Sequence, residues 1–459
     1  MKPAMRSFTL SCLLCFTALS LSFLACSGTD AKGKGQGDAA LLAGDSVPPI
    51  QLPAPGNVDA ATANRIRQGC QNFFDTMLAA NGFNGGMIVA KNGSIVFEAY
   101  RGTGFINGFD TVTANMPFHI ASVSKTFTAM ATLRLWEQGK LNIDDEVSKY
   151  LPGFNYVGVT VRTLLNHRSG LPNYLHFLEP MGWDKTKFIS NEELLQFLIA
   201  RKAEMVDTWA PNVKFSYCNT NYALLALIIE KVSGKKYGQY LQQQFFKPLG
   251  MSHTFVFSLT DTLTATTSFD WRGRIMPFNF LDSIYGDKNI YSTPRDLLTW
   301  DMALNSGLLF KPETLAQAYA PYSNERPGVK NYGLGWRMNL YPNGKKIIFH
   351  NGWWHGNNAV FIRLLQDSAT IILVGNKYCR AIYKAIQLAN LFGDYGLPVE
   401  DEEGEGNKAS DTLTLPLVKP DSLQLMPKKK MNHKDSALLK LFQDKHKAAF
   451  EEQARKVGN

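Results

Sequence analysis

The stretch Ser122-Val123-Ser124-Lys125 opens an apolar helical run from Thr126 to Gln138. Residues three apart lie on one face of a helix, so S-x-x-K at a helix start sets a hydroxyl beside an amine. That pair can make a nucleophile. A neutral amine accepts the serine proton, and the freed oxygen attacks a carbonyl. The pattern occurs a second time, as Ser233-Gly234-Lys235-Lys236. Spacing does not separate the two copies; their surroundings must.

Working outward, a helical pattern covers Ala60 to Ala80. It is followed by two apolar runs on either side of Asn92-Gly93, the dipeptide of tight hairpin turns. Helix and loop dominate from about 120 to 320. Strand patterns return at Lys346 to His350, Ala359 to Leu365 and Ala369 to Val374, and a helix follows at Ala381 to Leu391. Strands near both ends of a body with a helical middle predict one antiparallel sheet built from the two ends. Helices flank it, and the inserted segment forms a helical subdomain, an α+β layout.

Two further patterns carry chemistry. Tyr-x-Asn can supply a proton shuttle and an amide that holds a substrate. It occurs as Tyr217-Cys218-Asn219, Tyr322-Ser323-Asn324 and Tyr341-Pro342-Asn343. The last reads as a proline turn, and Tyr322 lies in a polar loop. Tyr217 precedes the apolar helix from Asn221 to Glu230, which would fix it at a helix entrance; packing alone is the other reading. The second pattern, His350-Asn351-Gly352, closes the strand from Lys346. A glycine on an edge strand lets a substrate backbone come close, while a histidine there can equally be a structural one.

Taken together, these segments resemble the serine β-lactamase-related hydrolases: class C β-lactamases, low-molecular-weight penicillin-binding proteins, D-aminopeptidases and family VIII esterases. The resemblance covers about residues 60–395. Phe118 to Thr128 resembles the nucleophile segment, and Leu164 to Pro172 a conspicuous family loop. Phe215-Ser216-Tyr217-Cys218-Asn219 leads into a family helix that runs on to Met251. Ile290 to Leu297 resembles a further signature, and His350-Asn351-Gly352 takes the place of the lysine–threonine–glycine strand. The resemblance implies a β-lactamase/transpeptidase-like fold and an acyl-enzyme mechanism. Ser122 is then the nucleophile, Lys125 the proton acceptor and Tyr217 the relay to the leaving group. Asn219 orients Lys125 and the substrate. The backbone N–H groups of Ser122 and Trp353 form the oxyanion hole, and His350, Gly352 and Trp353 bind substrate. No cofactor is called for, and no H-x-H-x-D zinc cluster is present.

Two departures from the family pattern bear on specificity. Histidine at 350 replaces a permanently charged lysine that helps hold a substrate carboxylate. Trp353 and Trp354 stand where smaller residues are usual, and either rim the site for an apolar acyl group or fill core. Both point to small-molecule or peptide substrates with uncharged or aromatic acyl groups, an esterase or D-amino-acid peptidase. A penicillin-binding or peptidoglycan-recognition protein with poor turnover and a true β-lactamase are the alternatives.

Composition sets the frame. The 459 residues are 45% hydrophobic and 19% charged, with a formal charge of +9, a globular chain whose excess charge is spread thinly. Lys428-Lys429-Lys430 is a tight basic run in a polar tail, and no nucleic-acid motif accompanies it. Lys2 and Arg6 precede an apolar stretch, Phe8 to Ala25, and Leu24-Ala25-Cys26-Ser27 resembles a bacterial lipoprotein cleavage site. The chain is expected to comprise a signal peptide over 1–25, a tether over 26–57, the hydrolase body over 58–395 and a polar tail over 396–459. Asp435-Ser436 would cap a short helix in that tail. Cys26 would carry lipid and hold an exported protein to the membrane, an uncleaved anchor being the other reading. Cys70, Cys218 and Cys379 are too far apart in sequence for a disulfide framework and read as buried thiols. Oligomeric state is open.

Overall fold

A computed structural model describes residues 47–104, 111–206, 208–263 and 265–397. The leader, Cys26 and the capped tail helix lie outside these residues. The expected tether reaches into them, and its last part is not free chain. The Ile50 N–H donates to the Pro248 carbonyl at 2.8 Å, and the Gly56 N–H to Asn92 at 2.7 Å.

Among the described residues ten strands occur in chain order: β1 Gly85–Lys91, β2 Ser94–Arg101, β3 Phe118–His119, β4 Phe255–Val256, β5 Ile290–Ser292, β6 Lys330–Tyr332, β7 Arg337–Leu340, β8 Lys346–Trp354, β9 Asn357–Leu364 and β10 Ala369–Gly375. Seven form one sheet in the order β2-β1-β10-β9-β8-β7-β6, and β3-β5-β4 form a small second sheet. The large sheet is antiparallel throughout. β1 pairs with β10 from Gly85↔Gly375 to Lys91↔Ala369, so the two ends of the body meet at its centre. Asn92 and Gly93 both take positive φ, 55° and 77°, the conformation that a two-residue turn between twisted strands demands.

Side chains alternate across a strand, and the sheet is covered on both faces. Met87, Val89, Val360, Ile362, Ile371 and Leu373 face one core, capped by the Ala60–Phe73 helix and a 3₁₀ helix over Arg380–Leu391. Ile88, Ala90, Ile348, Phe361, Ile372 and Val374 face the other, which continues into the helical insertion. Two helices are central there: Ser124–Glu137, which follows Ser122, and Asn219–Ser233. Both are buried nearly all round, which is why neither shows a clean amphipathic stripe. The second S-x-x-K is the end of the Asn219–Ser233 helix, with Gly234 at φ 69° terminating it. Cys70, Cys218 and Cys379 are free and buried.

Candidate active site

Ser122 lies in a short 3₁₀ turn, Ala121–Val123, that runs into the Ser124–Glu137 helix. The residue before it, Ala121, takes φ +47°, an uncommon conformation for a residue with a Cβ. Neighbours on both sides hold it there. The Ala121 N–H donates to Nδ1 of His119 at 3.1 Å, and Nε2 of His119 contacts Oδ1 of Asn289 at 3.0 Å. Burial pushes His119 down to about 4, and it is therefore neutral. Across from it, a Cβ on Gly352 would stand 2.3 Å from the Ile120 carbonyl oxygen and 3.1 Å from the Ala121 methyl. The glycine of His-Asn-Gly is required because β8 crosses directly over the turn that holds Ser122. The close approach expected at Gly352 is thus made by the chain's own backbone.

Lys125 is fully buried. Its Nζ lies 3.1 Å from Ser122 Oγ, 2.7 Å from Asn219 Oδ1 and 2.8 Å from the Asp287 carbonyl oxygen. A buried amine needs such partners. The last two are acceptors only, so they take two N–H groups and leave the third direction of the nitrogen facing the serine. As an ammonium, Lys125 donates to Ser122 there; as an amine, it presents its lone pair to the serine proton. The same loop grips the turn twice more, through Ile120 N–H to the Ile290 carbonyl at 2.9 Å and Ile290 N–H to Ser124 Oγ at 3.1 Å.

Tyr217 is half-buried, two residues before Asn219. Its ring lies 5.0 Å from Lys125 Nζ and 5.0 Å from the Arg337 guanidinium carbon. Two basic groups therefore lie against the tyrosine ring. Arg337, on β7, had no role in the sequence reading. Among the described residues it makes no ion pair, and its guanidinium makes no hydrogen bond. The signal that would have found it is register: Arg337 pairs with Phe349, next to His350.

His350 is fully buried. Its Nδ1 lies 2.7 Å from the Asn351 carbonyl oxygen, and its Nε2 3.2 Å from the Tyr332 hydroxyl. The first contact requires Nδ1–H, so Nε2 accepts from the tyrosine. Burial, reinforced by the charges of Arg337 and Lys125, holds its pKa well below 6.5. The side chain is neutral, as its residue type suggested, but both nitrogens are occupied within the protein.

β8 is an interior strand, yet β7 reaches only its residues 346–349. The segment from His350 to Trp354 therefore has a free edge on that side among the described residues. Trp354 and Asn357 flank a two-residue turn and form its closing hydrogen-bonded pair. Pairs alternate along an antiparallel ladder, so the N–H of Trp353 points to the free edge. Ser122 lies in the first turn of its helix, where N–H groups lack helical acceptors. The two tryptophans divide between the readings that the sequence left open. Trp354 donates its Nε1–H to buried Asp282 at 2.6 Å and packs under Lys288. Trp353 is 38% exposed and rests against Tyr378 with ring centroids 5.4 Å apart. The other Tyr-x-Asn copies lie elsewhere: Tyr322 contacts Gln317 and Arg162, and Tyr341 begins the turn between β7 and β8.

The beta-lactamase family model matches residues 71–379. Penicillin-binding protein 4* of Bacillus subtilis is 31% identical over 371 residues, 75% of this chain and 80% of that protein. Among solved structures, a penicillin-binding protein from Bacillus halodurans aligns with a TM-score of 0.61 at 24% identity, over 69% of this chain and 98% of that one. D-amino acid amidase from Ochrobactrum anthropi, complexed with L-phenylalanine, aligns with a TM-score of 0.58 at 22% identity, over 72% of this chain and 98% of that one. The chain belongs to the beta-lactamase family and is a serine hydrolase of that family.

Proposed function

We propose that the protein hydrolyses amide or ester bonds of peptide-like substrates through an acyl-enzyme on Ser122, in the cell envelope. One observation carries this reading: Lys125 Nζ is fixed by two acceptors so that its remaining direction faces Ser122 Oγ at 3.1 Å. Lys125 takes the Ser122 proton as Oγ bonds to the carbonyl carbon. The N–H groups of Ser122 and Trp353 receive the oxyanion; losing one such donor typically slows chemistry by about a hundredfold or more. Tyr217 passes a proton to the departing nitrogen or oxygen as the bond to the acyl carbon breaks. Water then attacks the ester, gives its proton back through Tyr217 and Lys125, and Ser122 leaves.

Arg337 modifies the specificity expected from the sequence. The strand lysine is replaced by a neutral, buried histidine, but a guanidinium free of acidic partners among the described residues stands against the Tyr217 ring, as Lys125 does. Substrates that carry a carboxylate are therefore favoured over neutral esters. The names of the relatives, a penicillin-binding protein and a D-amino acid amidase, agree with peptide-like compounds.

A panel of p-nitrophenyl esters, D-alanyl amides with and without a free carboxylate, and nitrocefin tests this, run on wild type and Ser122→Ala. Turnover of carboxylate-bearing amides that vanishes in Ser122→Ala is expected. A stable adduct on Ser122 without turnover would make the chain a penicillin-binding protein. Nitrocefin hydrolysed faster than every other compound would make it a β-lactamase. Export and lipid attachment at Cys26 belong to the same proposal. The protein should partition with membranes, and a Cys26→Ser protein that still does so would refute the lipid anchor.

A further inference from the structure

We infer that His167 is the positioning residue that sets Tyr217 for proton transfer; this rests on the role given to Tyr217 above. His167 sits in the loop after the short Val161–Leu165 helix, fully buried and at φ +57°. That backbone conformation is uncommon for a residue with a side chain, and such outliers persist where surroundings enforce them.

The surroundings here are the two peptide groups on either side of the tyrosine. The Ser216 N–H donates to the His167 carbonyl at 2.9 Å, and the Cys218 N–H donates to His167 Nδ1 at 3.1 Å. The imidazole itself lies against the Tyr217 ring, centroids 4.4 Å apart. One residue thus grips the tyrosine through a carbonyl before it, a ring nitrogen after it and a ring face beside it. The Asn221 amide nitrogen stands 3.3 Å from the same Nδ1, and its oxygen accepts from Ser169 Oγ at 2.7 Å.

The chemistry explains the choice of residue. Because Nδ1 accepts, the ring proton is on Nε2. Nε2 has no hydrogen-bond partner and sits in a cage that includes the rings of Tyr222 and Tyr332, with centroids 5.0 and 4.8 Å away. A charged imidazolium would turn a donor toward the Cys218 N–H and add a second cation beside the Tyr217 ring, where Arg337 already stands. An apolar side chain would leave that N–H buried without an acceptor, a costly state. Asparagine is the conservative replacement. It tolerates the left-handed backbone and offers Oδ1 near the place of Nδ1.

The test measures kcat and KM with a p-nitrophenyl ester for wild type, His167→Ala and His167→Asn, each with Tyr217 and with Tyr217→Phe. With Tyr217 present, His167→Ala should lower kcat by about 10- to 100-fold and change KM by less than about threefold, and His167→Asn should recover most of the loss. With Tyr217→Phe, neither change should cost more than about twofold, because a positioning residue acts through the group that it positions. Equal losses in both backgrounds, or a loss in KM alone, would overturn the inference. Should His167→Ala not fold, His167→Gln, which keeps bulk but carries no acceptor at the place of Nδ1, reads the same coupling with and without Tyr217. Failure of the reading beneath it is a different result: Tyr217→Phe alone would then leave kcat unchanged.

Discussion

The helix-borne wall of the site and its strand-borne wall each carry a basic residue, and they hold it in opposite ways. Lys125 is fully buried, and every direction of its nitrogen is engaged by Ser122, Asn219 or the Asp287 carbonyl. Arg337 is half-buried, faces Tyr217 and, among the described residues, has no acidic partner. A basic group whose contacts are all internal acts on the atoms that it touches, here Ser122 Oγ. A cation without an internal partner has its charge left for what arrives from solution. The histidine between them on β8 is neutral and closed. On the reading proposed above, Arg337 on the neighbouring strand supplies the charge that His350 does not.

The largest effects should fall on the helix-borne wall. Lys125→Ala and Tyr217→Phe should each lower kcat by roughly 10²–10⁴-fold, and the double change should cost little more. Strictly additive losses, read from steady-state kinetics of the four proteins, would show that the two residues do not act as a unit. Arg337→Gln should be smaller and of another kind. KM for carboxylate-bearing substrates should rise about tenfold, equivalent to about 1.4 kcal/mol, with kcat nearly constant and neutral esters unaffected. A matching drop in kcat for neutral esters would place Arg337 in the chemistry and erase the distinction between the walls.

Smaller still is an effect on stability shared by both walls. Burial is the leading cause that lowers His119 to about 4 and keeps His167 and His350 well below 6.5. Unfolded histidines take up protons near pH 6.5, so below that pH the unfolded chain binds more protons than the folded one. Stability is full above about pH 6.5 and falls as the pH drops, by up to about 1.4 kcal/mol per pH unit for each histidine. Urea unfolding at pH 7.5 and 5.5 should show the loss. Equal or greater stability at pH 5.5 would mean that these imidazoles are charged in the fold.

How much of this was legible follows from the range of the interactions. Ser122 and Lys125 are three residues apart, and helix geometry brings them together. β1, β8, β9 and β10 announce themselves by apolar runs, and Asn92-Gly93 by its turn chemistry. β6 and β7 are three and four residues long, too short for periodicity to register. Arg337 reaches the site through the pairing of β7 with β8, which no local pattern encodes. The Asp287 contribution is a backbone carbonyl, and any residue type could supply it. The neutral character of His350 could be expected from its type, but its closure could not, because Tyr332 lies on another strand. Trp353 and Trp354 split because neighbours on a strand face opposite sides.

The nucleophile is the claim on which all the rest depends, and one measurement reaches it directly. The purified protein is treated with a fluorophosphonate or a β-lactam probe, digested and read by mass spectrometry. The expected result is a single adduct on the peptide that contains Ser122, with no adduct in Ser122→Ala. Labelling that survives Ser122→Ala, or that maps to Ser124 or to Ser233 of the second S-x-x-K, would contradict the assignment.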